Sequence, residues 1–278
     1  TLDRSSAASD VYKRQSPSLS QTILAHDHPL AVAEKGVAWA RLSAKGRAGH
    51  GSRPSGTNAV SVITRAVAAI ARHDFPIVHT PALDAFLDTI TEVTGERYQD
   101  DELDAATHKW GFLGPVVRAS LRNTAAPTQL HAGYAVNVIP ADARATIDCR
   151  VLPGHETEFF DTVEELLRNE LGEDYDALTI HWEKPNAVSS DPQSPFVDTV
   201  REALTTIDPA GVVAPYLLPA GTDNKFLQRL GIECFGFVPL HVPSTYDCFG
   251  HFHAKNERVP VSAVHSGAQV LAHLTQNA

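Results

Sequence analysis

Between Arg144 and Val151 polar and apolar side chains alternate without a break: Ala145, Ile147, Cys149 and Val151 lie on one side, Arg144, Thr146, Asp148 and Arg150 on the other. A period of two over eight residues is a strand with one dry face and one wet face. Pro153-Gly154 ends it. Such a face has to be covered, and two amphipathic segments are available to cover it. After Thr57 or Asn58 as cap, Val60, Ile63, Val67 and Ile70 recur three and four apart. From Glu156 to Leu171, Phe159, Phe160, Val163, Leu166 and Leu167 form a second stripe. Val37–Ala40, the alternation Leu130, Ala132, Tyr134, and Ala177–Trp182 read as further strands. The order from Val37 to Trp182 is then β-α-β-β-α-β, a split βαβ sandwich of ferredoxin-like type with an antiparallel sheet and helices on one face.

The flanking segments read differently. Ala31–Ala33 is extended and meets a turn at Glu34-Lys35-Gly36, while Phe75–Arg122 holds one helix on Leu83, Phe86, Leu87 and Ile90 and an acidic run from Asp100 to Asp104. That segment is taken as an elaboration of the sandwich. Asn186–Ser194 is the expected crossing between domains, and Ser194-Pro195 opens a helix on Phe196, Val200, Ala203, Leu204 and Ile207. A buried strand follows at Gly211–Leu218, then a turn in which Asp223 caps a short helix closed by Gly231. A strand at Ile232–Val238 and a last helix opened by Pro260, with Val264, Leu271 and Leu274 inward, complete the second half of an α/β domain.

Composition narrows the chemistry. A net charge of -10 argues against nucleic acid or an anionic membrane as the main partner, because both select basic patches. The expected partner is a small molecule. Three cysteines without C-x-x-C spacing predict neither a disulfide framework nor a zinc knuckle, and fit a reducing, cytoplasmic setting. No apolar run reaches the roughly 18 residues that span a bilayer. A chain of 278 residues with no methionine reads as a fragment, with residues 1–15 a non-native or disordered leader set aside from fold reasoning. Two segments carry polar chemistry. Gly46-Arg47-Ala48-Gly49-His50-Gly51-Ser52-Arg53-Pro54 is a loop whose glycines permit close backbone approach, and His251 to Glu257 packs two imidazoles, an amide and a carboxylate into seven residues, as metal sites often do.

Taken together, four motifs resemble the M20 metallopeptidase and aminoacylase family: G-R-A-G-H-G-S-R-P followed by N-A, N-V-I-P followed by I-D-C-R-V-L-P-G, A-G-T-D-N, and F-H-A-K-N-E-R-V-P. The resemblance runs from about Ala31 to Leu274. It implies an incomplete α/β, phosphorylase/hydrolase-like catalytic domain (a remnant at 16–36 and the C-terminal part at 188–278) with an inserted lid and dimerisation domain at 37–187. The implied activity is hydrolysis of an amide in a peptide or N-acyl amino acid by a homodimer using two zinc ions, with cobalt or manganese as alternatives. The implied roles are His253 as a metal ligand, and His50 as the imidazole that reaches a neighbouring subunit's site and donates to the tetrahedral intermediate. Asn137 and Arg150 hold the substrate, and Gly221 and Thr222 line the site.

Plainer roles stay open for the same residues. Arg150 can pair with Asp148 on its own strand face, Asn137 can satisfy the turn before Pro140, His50 can be a solvated loop residue, and Asp223 a helix cap. The family's other ligands, an H-x-D, a bridging Asp, a Glu-Glu pair and a further acid, precede its lid domain. His26-Asp27-His28 has the H-x-D spacing without the apolar strand before it and is given no role. The chain alone is therefore expected to be inactive, which leaves a non-catalytic dimerisation or binding module as the alternative.

Overall fold

The computed structural model describes residues 27–53, 56–111, 113–243, 246–247, 249–251 and 253–277. The expected leader at 1–15 and residues 16–26 lie outside them. In chain order the elements are β1 (Asp27–Glu34), β2 (Gly36–Val37), β3 (Ala40–Lys45), β4 (Gly49–His50), α1 (Ala59–Arg72), α2 (Pro81–Thr94), α3 (Asp100–Thr107), α4 (Leu113–Ser120), β5 (Thr124–Ala132), β6 (Val138–Ile139) and β7 (Asp142–Val151). Then come α5 (Glu156–Leu171), a 3₁₀ turn (Gly172–Ala177), β8 (Leu178–Trp182), β9 (Val188–Ser189), α6 (Pro195–Ile207), β10 (Val212–Leu218), α7 (Asn224–Leu227), β11 (Gly236–Phe237) and α8 (Val261–Asn277).

One sheet has β5, β7, β3 and β8 side by side, all antiparallel, with β2 continuing the β3 side of β7. The alternation in β7 sets its two faces as expected: Ala143, Ala145, Ile147, Cys149 and Val151 are buried. They pack against Val62, Ile63, Ala66 and Ile70 of α1 and Phe159, Val163 and Leu167 of α5. Of the two proposed caps for α1, Asn58 is the one used, its Oδ1 accepting from the Val60 N–H at 2.9 Å. Burial drives the Cys149 thiol up to about 12, so it behaves as a small apolar side chain.

The second sheet centres on β1, which runs parallel to β10 and pairs antiparallel with β9 and β11 on its other edge. Here both faces are dry. Ala31, Ala214 and Tyr216 meet α2, α3 and α4 through Leu83, Phe86, Leu103, Trp110 and Val117. Leu30, Val32, Val213 and Leu217 meet α6 and α8 through Val197, Val200, Leu204, Val270 and Leu274. Burial on both sides is the usual state of parallel pairs.

Five details depart from the sequence reading. In the segment 75–122 Phe75 packs in the sandwich core, but the helices that follow cover the β1–β10 sheet and not the sandwich next to them in sequence, since an apolar stripe specifies burial without saying which sheet supplies it. Two helices in it, α3 and α4, were not expected; α3 is announced by a capping box between Gln99 and Glu102 and by Asp100 and Asp101 in its first turn. On α8 the inward row is Ala263, Gly267, Val270 and Leu274, leaving Val264 and Leu271 exposed. Small residues win that face because a Cβ on Gly267 would stand 2.7 Å from the Pro239 carbonyl oxygen. Finally, the strand at 232–238 contracts to two residues, and Asp223 makes no side-chain cap to α7; the Asn224 N–H bonds to Thr222 Oγ1 at 3.1 Å. No helix among the described residues is long and apolar enough to cross a membrane.

Candidate functional site

His50 sits at the end of an arm that folds back on itself at Gly46. A Cβ there would lie 2.5 Å from Thr57 O and from Ala59 N, so only glycine lets the two limbs of the loop pass. The outer limb becomes β4 and pairs with β6, with His50 opposite Val138 and the Gly51 N–H bonded to the Asn137 carbonyl at 2.8 Å. His50 and Asn137, 87 positions apart in the chain, are thereby neighbours on one exposed ribbon. The Ser52 backbone N–H donates to His50 Nδ1 at 3.2 Å, and Ser52 Oγ lies 2.8 Å from the same atom. A nitrogen that accepts cannot carry the proton, so in the neutral ring the proton is on Nε2. His50 therefore presents an N–H outward.

Arg150, Gly221 and Thr222 form a second group, where the two sheets meet. Val37 pairs with Arg150, and Val37 Cγ2 is 4.0 Å from where a Cβ of Gly221 would be. The Thr222 N–H donates to Glu34 Oε2 at 2.7 Å, its hydroxyl bonds Glu34 Oε1, and Asn224 Nδ2 reaches Oε1 at 3.0 Å. Glu34 is buried and both oxygens of its carboxylate accept from these donors. The Arg150 guanidinium grips Asp148 with two bonds, 2.6 and 2.9 Å. To meet a ligand carboxylate it has to leave that partner or share it.

Sequence reasoning passed over the charged residues of this junction, Glu34 and Lys35. The signal was available as two charges at the end of an apolar strand, directly before Gly36. Lys35 is 1% exposed, its N–H bonds Leu218 O, and its ammonium bonds Arg122 O. Burial, followed by the nearby Arg150 and Arg122 charges, lowers its pKa to about 7. Arg122 is itself held by Asp104 at 2.7 and 2.8 Å, and that pairing keeps the Asp104 carboxyl below the usual carboxylate range. The unfolded chain keeps its Lys35 proton to about pH 10.4. Between about pH 7 and 10.4 the unfolded state thus holds more protons, and Lys35 makes stability rise with pH there; below about 7 the full penalty persists. Relative to Lys35→Met, the unfolding free energy of the wild type should gain about 3 kcal/mol between pH 7 and 9.5. Urea titrations at the two pH values measure it, and parallel changes in both proteins would show that Lys35 titrates as in water.

His253 lies on the segment before α8. It is exposed with φ 58°, in a turn where Ala254 N–H bonds His251 O at 3.1 Å and Glu257 N–H bonds Ala254 O at 3.1 Å. Its neighbour His251 packs against Tyr246 in a tilted arrangement with ring centres 4.9 Å apart. Among the described residues, one set of three His, Cys, Asp or Glu side chains brings ligand atoms together, and His253 is not in it. The described residues do not assemble a two-metal centre around His253.

The M20 peptidase dimerisation domain model matches residues 32–175, more than half of the chain. The chain belongs to the M20 family. Human N-fatty-acyl-amino acid synthase/hydrolase PM20D1 is 24% identical over 265 residues, covering 90% of this chain and 50% of the relative. Aminoacylase-1 of Pongo abelii is 24% identical over 216 residues, 75% of this chain and 43% of the relative. The M20 family metallo-carboxypeptidase Sso-CP2 of Sulfolobus solfataricus shares the fold at a TM-score of 0.56 and 16% identity, over 90% of this chain and 60% of that one. The chain spans about half the length of the curated relatives it matches.

Proposed function

We propose that this M20 chain serves metal-dependent hydrolysis of the amide bond in a peptide or N-acyl amino acid. The observation that carries the reading is the β4–β6 ribbon, where His50 offers Nε2–H to solvent beside Asn137. An imidazole donor fixed in one tautomer is the group an oxyanion from an attacked amide requires, and it stabilises that charge without itself reorganising. Arg150 supplies the guanidinium fork for the substrate carboxylate, and Gly221 and Thr222 form the wall beside it. His253 is the residue this reading assigns to metal, zinc by ligand type, with cobalt or manganese as alternatives. The reaction needs further ligands to the metal.

The sandwich sheet, residues 37–72 and 123–187, acts as the lid in this reading; its order β8-β3-β7-β5 with α1 and α5 on one face supports a ferredoxin-like lid. Residues 188–278 then belong to the catalytic side, joined by the helices of 75–122. Homodimerisation through the lid is supported by β5, an edge strand paired on one side, with Gln129 to Ala132 exposed and Tyr134 and Val136 exposed just beyond. Buried free Cys149 and Cys234 fit a reducing, cytoplasmic compartment.

Release of amino groups from N-acyl amino acids and dipeptides by the zinc-loaded protein that contains this chain tests the reading. Hydrolysis is expected, and Arg150→Lys should raise KM for carboxylate-bearing substrates roughly tenfold with kcat little changed, the cost of about one charge-assisted hydrogen bond. An unchanged KM would leave Arg150 as a partner of Asp148 alone. Absence of any release would favour the second reading, a dimerisation module without chemistry of its own.

A further inference from the structure

A second cluster lies at the other end of the β1–β10 ladder. His28 is paired with Val213 near the start of both strands, while Glu34 is paired with Leu218 at their finish. Six residues at about 3.3 Å each separate the two levels by about 20 Å. At the start of the strands, His28 from β1, Asp208 from the C-terminal cap of α6 and His241 from the loop before α8 converge. His28 Nε2 is 3.4 Å and His241 Nδ1 3.2 Å from Asp208 Oδ2, and all three ligand atoms lie within 4.8 Å of one another.

We propose that His28, Asp208 and His241 form a mononuclear divalent-cation site, with zinc as its natural occupant, separate from the Glu34–Thr222 end of the sheet. The spacing is the first argument. Ligands about 2.0–2.1 Å from a tetrahedral ion are about 3.3–3.4 Å from each other. The two imidazole–carboxylate separations already have that length, so an ion fits between them with little movement. The donors are the second argument: two imidazoles and one carboxylate are borderline nitrogen and oxygen ligands suited to zinc.

Support around the ligands is the third argument. Asp208 Oδ1 accepts from the Ala210 N–H at 3.3 Å, which turns Oδ2 toward the imidazoles. Asp208 also closes α6, its N–H bonded to Leu204 O, so the negative end of the helix adds to the carboxylate charge. His28 is buried and Asp208 nearly so, while His241 is half exposed. The rigid pair is thus completed by a residue on the surface, and an ion would fasten the Pro239–His241 loop to the sheet.

The test uses the metal-stripped protein and zinc ion alone, for the wild type, His241→Ala and His253→Ala. Zinc is counted by competition with a chromogenic chelator, and the melting temperature is followed in parallel. His241 is exposed enough to be truncated without loss of the fold, which circular dichroism verifies. The wild type and His253→Ala should both hold an equivalent that His241→Ala lacks. Zinc at about a hundred times Kd should raise Tm on the order of 5 °C in those two and not in His241→Ala. Equal zinc content and equal Tm shifts in wild type and His241→Ala overturn the proposal, as does a wild type that binds no zinc. Loss of an equivalent in His253→Ala bears on the catalytic reading alone.

Discussion

Trp110→Ala should cost about 3–5 kcal/mol of stability, and the loss should register first in one of the two sheets. Trp110 is fully buried, with its ring edge-on to Phe86 at 5.5 Å and to Tyr98 at 5.7 Å between centres. Leu103, Leu113 and Val117 close around it, and the whole layer rests on Ala31, Ala214 and Tyr216. Backbone on three helices frames the void, so the site cannot collapse cheaply. The α1–α5 layer under β7 shares no residue with this cluster. Amide exchange read residue by residue should show β10 losing protection at lower denaturant while β7 keeps its own. Equal loss in both would mean that the two cores open as a single unit.

In the protein that contains this chain, His50→Ala should lower kcat by about two to three powers of ten, the usual cost of removing an oxyanion donor, with KM nearly unchanged. The imidazole is held by Ser52 and by the β4–β6 pairing, and no described core residue depends on it, so stability should hold. The proposed role in a neighbouring subunit gives a stricter check. Mixing His50→Ala with His253→Ala subunits should restore activity, because each lacks what the other still has. Mixed dimers that stay inactive would place His50 in its own subunit's site or outside the chemistry.

What could be read from the sequence followed the periodic segments. The β7 alternation named every buried residue from Ala145 to Val151 because one face is dry and the other wet. The α2 stripe of Leu83, Phe86 and Ile90 was equally plain, yet its destination was not, since the β1–β10 sheet it covers is assembled from strands about 180 residues apart. On α8 the large residues misled: Ala263 and Gly267 face inward, and at Gly267 the Pro239 backbone comes too close for any side chain. Among the site residues, the nearness of His50 and Asn137 needed a hairpin-like pairing of two-residue strands, too short to leave a pattern. The grip of Arg150 on Asp148, by contrast, follows from spacing two on one strand face. His28, Asp208 and His241 gave no warning, separated as they are by 180 and 33 positions.

The packing of 75–122 on the β1–β10 sheet has a mechanical consequence. The chain passes between the two sheets four times: at Lys35-Gly36, after α1, before β5, and after β8. These passages are themselves fastened together. Lys35 bonds Arg122 O, Asn123 Oδ1 accepts from the Leu152 N–H at 2.7 Å, and a side chain on Gly36 would collide with Ala187 N at 2.7 Å. A flap on two tethers can swing about the line between them; a body on four has lost most of that freedom. One proteolytic nick, or one circular permutation, cannot release the sandwich, and it cannot be cloned as a contiguous segment. A motion of the sandwich as a whole that carries the His50 ribbon is then a small rotation shared by all four tethers.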